Sequence, residues 1–120
     1  MGYWEKSVDY LCGVYNIMPA ISRKGDMSTG HIDWPPTAMV ETPVTKTYIN
    51  GILAGVVDAA CQFADHTEIV LPFIVHPAAI RYPTAGASKT YIEGFKAARV
   101  GDPLADGDAI AAGSSNTFVK

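Results

Sequence analysis

Positive charge is in short supply in this sequence: nine Lys and Arg stand against twelve Asp and Glu, for a net charge of -3. A nucleic-acid partner would require a basic face that releases condensed counterions, so none is expected. Long apolar runs are missing as well. The two longest, Ile52 to Ala60 and Ile69 to Ile80, are broken by Gly, Asp, Pro or His and fall short of the roughly 20 residues of a membrane-spanning helix. The first residues offer Glu5 and Asp9 beside Lys6, without the basic start and apolar centre of a secretion signal, so synthesis in a cytoplasm is expected. Cysteine is limited to Cys12 and Cys61, which reads as thiols kept reduced, with Cys12 a small buried hydrophobe. No Gly-rich phosphate loop, Gly-x-Ser-x-Gly elbow or His-Glu-x-x-His helix is present, and the chain is not expected to be an enzyme.

What the sequence does have is punctuation and repetition. Eleven Gly and eight Pro are spread through 120 residues that are 48% hydrophobic, the pattern of one small domain of short strands and tight turns. Thr47-Tyr48-Ile49-Asn50-Gly51 is answered by Thr90-Tyr91-Ile92-Glu93-Gly94 and, truncated, by Asn116-Thr117-Phe118-Val119. Each copy alternates in the strand period, and Gly in two of them supplies a hairpin turn. A second phrase accompanies each copy: Pro19 to Asp26, Leu53 to Asp58, and Lys96 to Asp102, ending Gly25-Asp26, Val57-Asp58 and Gly101-Asp102. Gly before Asp is a turn signal, because Gly permits positive φ and the Asp carboxylate accepts backbone N–H groups. The loops that follow, Met27 to Pro43, Ala59 to Ser88 and Pro103 to Ser115, differ in length, and the chemistry is expected there. Residues 1–17 lie outside the repeat, and the spacing of Tyr3, Val8, Leu11, Val14 and Tyr15 predicts a short amphipathic helix.

Three copies of these phrases, with Pro-Ala-Ile-Ser-Arg at the first and Ala-Ala-Arg-Val-Gly-Asp-Pro at the last, resemble the PAAR-repeat family over residues 18–120. Lys96-Ala97-Ala98-Arg99 is that family's name motif with Lys in place of Pro. The resemblance implies an all-β cone of three hairpin repeats about a pseudo-threefold axis, with zinc at the point. Its base would dock as a single copy on a homotrimeric β-helical spike, in a contractile phage tail or a related secretion machine, and its tip would briefly meet the host outer membrane. A virion tail baseplate is the expected location. The chain departs from the family in three ways: Val57-Asp58 replaces the middle Gly-Asp, Asp106 stands where a Cys is common, and the middle loop is longer.

All three histidines fall in the loops, His31 in the first, His66 and His76 in the second, and Cys61 precedes His66 by five residues. Imidazole and thiolate suit a closed, structural, tetrahedral zinc site, and His31, Cys61, His66 and His76 fill it. Asp106 is the alternative fourth ligand; with three imidazoles it makes a harder set that accepts iron as well as zinc. Trp34-Pro35-Pro36 reads as a rigid turn with an aromatic lid on the core. The rival reading from another class is a hydrolase, with His31, His66 and His76 holding a zinc-bound water and Glu68 or Asp65 as base.

Overall fold

The structure, a computed structural model, describes residues 18–120, so the helix expected over residues 1–17 and the place of Cys12 lie outside the described residues. Its strands are β1 (Tyr48–Ile49), β2 (Ile52–Leu53), β3 (His66–Thr67), β4 (Val75–His76), β5 (Tyr91–Ile92) and β6 (Phe95–Lys96), with one 3₁₀ turn at Ala78–Ile80. The all-β expectation holds for these residues. Both complete copies of the strand phrase fold as hairpins, β1 with β2 and β5 with β6, in the same register: Tyr48 faces Leu53 and Tyr91 faces Lys96. Their turns carry positive φ at both central residues, +56° and +78° at Asn50-Gly51, +52° and +90° at Glu93-Gly94. Such primed turns match the twist of the flanking strands, which is why Gly closes each phrase.

The third copy pairs across the molecule instead. Phe118 bridges Ala20, the Ile21 N–H donates to the Thr117 carbonyl (3.0 Å), and the Val119 N–H donates to the Pro19 carbonyl (3.0 Å). The third drawn hairpin, β3 with β4, lies inside the middle loop, where no repeat phrase announces it.

Three segments then meet in closed rings of backbone hydrogen bonds. Ser22 donates to Ala98 (2.9 Å), Ala98 to Gly55 (3.1 Å) and Gly55 to Ser22 (2.8 Å). A second ring runs in the opposite order: Lys24 donates to Leu53, Val57 to Lys96 and Val100 to Ala20, at 2.8, 2.8 and 2.9 Å. A cyclic pattern of this kind is a pseudo-threefold relation built within one chain, with Ser22, Gly55 and Ala98 equivalent. Small side chains are required where the segments converge: a Cβ on Gly55 would stand 2.6 Å from Met39 Cε, and one on Gly86 would stand 2.4 Å from the Ala97 carbonyl oxygen.

The same register corrects one sequence alignment. Counting from the ring, the middle equivalent of Asp26 and Asp102 is Ala59, not Asp58. In the outer copies the carboxylate accepts the N–H three residues back, Asp26 from Arg23 (2.8 Å) and Asp102 from Arg99 (2.7 Å), and the same arginine side chain closes an ion pair. Asp58 instead accepts the Ala60 N–H at 2.9 Å, capping a tighter local turn. Around the rings a core forms from Met39, Val44, Val56, Cys61, Phe63, Leu104 and Ile110, among others. Among the described residues no helix is long and apolar enough to cross a membrane.

Candidate metal centre

Each of the three unequal loops contributes to one cluster. In the first, the His31 N–H donates to the Trp34 carbonyl (3.1 Å) and the Trp34 N–H returns to His31 (2.6 Å), so Ile32 and Asp33 form a tight turn that presents the imidazole. Gly30 is needed before it, since a Cβ there would lie 2.8 Å from the Trp34 carbonyl oxygen. In the second loop, His66 and His76 are directly opposed on β3 and β4. Opposed residues of an antiparallel pair share a face, which brings both rings to one place. In the third, Gly107 at φ +96° closes a turn in which its N–H donates to Leu104, and Asp106 projects from that turn.

His31, His66, His76 and Asp106 each offer one donor atom, all within 4.8 Å of one another, and the group could hold a metal ion. His66 Nε2 lies 3.2 Å from His31 Nε2, 3.0 Å from His76 Nδ1 and 3.1 Å from Asp106 Oδ2. Asp106 Oδ2 lies 3.2 Å from His76 Nδ1 and 3.9 Å from His31 Nε2. A regular tetrahedron with metal–ligand bonds of about 2.0–2.1 Å has edges of roughly 3.3 Å; four of these five separations lie near that length, and the His31–Asp106 one is longer. The tautomer of His66 is settled by its other nitrogen: Nδ1 is 2.9 Å from the Pro35 carbonyl, which can only accept, so Nδ1 carries the proton and Nε2 keeps its lone pair. Burial pushes His66 below the ordinary imidazole value, and the nearby Arg81 charge adds to that, against the opposing pull of the Pro35 carbonyl.

The preference for Cys61 as fourth ligand is corrected. Its thiol is fully buried in the hydrophobic core, 3.6 Å from the Met39 sulfur, and burial pushes it up to about 11. Such a thiol is a packed apolar group, not a ready thiolate. Asp106, the alternative fourth ligand, supplies the fourth donor atom of the group instead.

Reasoning from sequence missed the group behind the cluster. Arg81 is wholly buried and donates Nε to Asp106 Oδ2 (2.8 Å), one terminal nitrogen to Asp108 Oδ2 (2.6 Å) and Ser28 Oγ (3.2 Å), and the other to Thr37 Oγ1 and the Ala64 carbonyl. Burial works against ionising Asp106 and Asp108. Several smaller effects together outweigh it: for Asp106 the Arg81 hydrogen bond, the Asp108 N–H and the Arg81 and His66 charges, for Asp108 the Thr29 hydroxyl, the Ala109 N–H, the Ser28 hydroxyl and the Arg81 charge, so both carboxylates end below their usual range. The signal was present: Arg81 is the sole Lys or Arg between Lys46 and Lys89. Trp34 was read as a lid on the core, yet it lies over the histidines, its indole 4.4 Å from the His76 ring at 9° and 4.9 Å from His31 at 13°. Of the hydrolase bases considered, Glu68 accepts the Ile74 N–H (3.2 Å) and braces the β3–β4 hairpin, and Asp65 is exposed; neither belongs to the donor group.

Comparison with protein-family models found no match, and comparison with curated proteins found none either.

Proposed function

We propose that this chain is a spike-tip protein of a contractile injection machine, most simply a phage tail baseplate, that caps a homotrimeric β-helical spike and is stiffened by one bound metal ion, zinc or iron. The observation that carries this reading is the pair of closed backbone rings, through which one chain presents threefold-related surfaces. Tyr48, Tyr91 and Phe118 occupy equivalent strand positions and are exposed to similar degrees, 58%, 58% and 48%. Three matched aromatic groups from a single chain fit the three equivalent ends of a trimer, where ordinary symmetry would demand three chains. Aromatic side chains are the groups that anchor protein interfaces.

Contact with a cell envelope is supported by a different surface. Ile69 to Val75 are seven consecutive uncharged residues, all exposed, on the hairpin between His66 and His76; Ile32 stands beside them at 85% exposure, its turn tied to Ile69 through the Asp33 carbonyl. Four protein donors around the ion favour a structural role over an open catalytic position. The role is mechanical: a braced tip transmits the contraction force to the envelope.

The test is to mix the purified chain with its cognate spike trimer and weigh the product by native mass spectrometry. One chain per trimer is expected, with Y48A/Y91A/F118A abolishing the complex while keeping the metal. Failure of the wild-type chain to cap the trimer, or undisturbed particle assembly and infection after its deletion, would remove the reading.

A further inference from the structure

Water reaches the donor group unevenly. The side chains of His66 and Asp106 are 0% exposed, whereas those of His31 and His76 are 24% and 18% exposed. An ion held here is therefore approached from the His31 and His76 side, and on that side lies Trp34, stacked nearly parallel on both rings. The indole is itself fixed at two levels. Its backbone closes the His31–Trp34 turn, and its Nε1–H donates to the Ile74 carbonyl (3.2 Å) on the hairpin that carries His76. A second tie, from the Ile69 N–H to the Asp33 carbonyl (2.7 Å), joins the same turn to the other end of that hairpin loop.

We propose that Trp34 is a positioning residue that latches the metal centre: it prestacks two of the four donors and governs how fast an ion leaves. This rests on the reading of His31, His66, His76 and Asp106 as ligands. An ion departs from a multidentate site by stepwise release of donors, and the most exposed donor swings first. For His31 or His76 to swing, its ring must slide off the indole or carry the indole with it, which breaks a stacked pair and the bond to Ile74. Trp34 touches no donor lone pair, so its removal leaves the ligand count intact. The consequence is a kinetic effect larger than the equilibrium one, suited to an ion that must outlast repeated exposure to competing chelators.

The experiment uses the full chain loaded with zinc and follows transfer to an excess of a colorimetric chelator. W34A is expected to bind one zinc per chain, as wild type does, and to release it on the order of tenfold faster or more, the loss of two stacked contacts. W34F, which keeps a ring but lacks the N–H, should release at an intermediate rate. The global unfolding rate of each variant, measured in the same buffer, separates a latch from a loosened fold. Release by W34A at the wild-type rate, or accelerated only in step with unfolding, overturns the latch and leaves the ligand assignment standing. A wild-type chain that takes up no zinc overturns both.

Discussion

At the scale of single residues, Asp106 Oδ2 has two demands on it, since it faces three imidazoles and also accepts Arg81 Nε at 2.8 Å. A carboxylate held by a buried guanidinium is oriented and kept ionised before any ion arrives. D106N should therefore lower zinc affinity by about tenfold or more, the scale on which ligand-shell changes act, as measured by competition titration. C61A should leave affinity unchanged while costing on the order of 1 kcal/mol of stability through the small cavity beside Met39, and the native thiol should resist labelling. Unchanged affinity in D106N would return the fourth corner to dispute. R81M should be the harsher change, because it strands two carboxylates, Asp106 and Asp108, without their cation. Breaking a buried pair this way costs about 3–5 kcal/mol, readable in urea melts. The three histidines were legible as a group because the repeat sets all of them in the variable loops; a histidine in a Pro-rich loop taken by itself is more often solvated than a ligand. Cys61 was weighted over Asp106 because thiolate is the softer donor in the abstract, and sequence gives no measure of the burial that places Cys61 in the core and pushes its thiol up.

At the scale of elements, the hairpin turns do more than reverse the chain, since each reaches the next repeat in a fixed rotational order. The Glu93 carboxylate accepts from the N–H groups of Thr45 (3.2 Å) and Lys46 (2.9 Å) and from the Thr47 hydroxyl (2.9 Å). Asn50, its equivalent, accepts from the Ser114 hydroxyl (2.6 Å) and donates to Asn116 Oδ1 (2.8 Å), and the Lys120 carbonyl accepts from the Ser88 N–H (3.2 Å). The Lys46 N–H, followed by the other two donors, holds Glu93 below the usual carboxylate range. A carboxylate lowered on folding stabilises fully above its unfolded value of about 4.3 and loses that contribution as pH falls through its lower folded value. E93Q should thus be less stable than wild type at neutral pH, and the gap should close as the pH falls through that lower folded value; a gap that persists or widens in acid would show that the charge is not what matters. The two complete hairpins were readable because Gly ends each phrase where its strand alternation stops. The β3–β4 hairpin was not, because Ile69 to Ile80 is apolar without alternation and so carries no strand period. The middle turn was misaligned by one residue for a related reason: Asp is common in turns of several registers, and only the backbone ring fixes which Asp corresponds to which.

At the scale of the whole molecule, the donors come one from the first loop, two from the second and one from the third, so an ion bound to His31, His66, His76 and Asp106 would cross-link all three repeats. A domain of this size gains much from such a link, and in small metal folds the ion can supply on the order of 10 kcal/mol, enough that the metal-free chain is unfolded. This architecture points to a different outcome. Arg81 already joins the second loop to the third through Asp106 and Asp108, and to the first through Ser28 and Thr37, while the two backbone rings close the repeats without any help from the site. The metal-free chain should therefore keep its strands and dispersed amide resonances. Free ion at 1,000 times the dissociation constant adds about 4 kcal/mol, and at about 4–8 °C per kcal/mol for a domain near this size chelation should lower the melting temperature by roughly 15–30 °C. A chain that loses its near-ultraviolet circular dichroism as soon as the ion is stripped would mean that the Arg81 network is a consequence of metal binding. If instead the chelated protein melts cooperatively at the lowered temperature, the fold stands on its rings and on Arg81, and the ion serves to stiffen the end of the molecule where the loops meet.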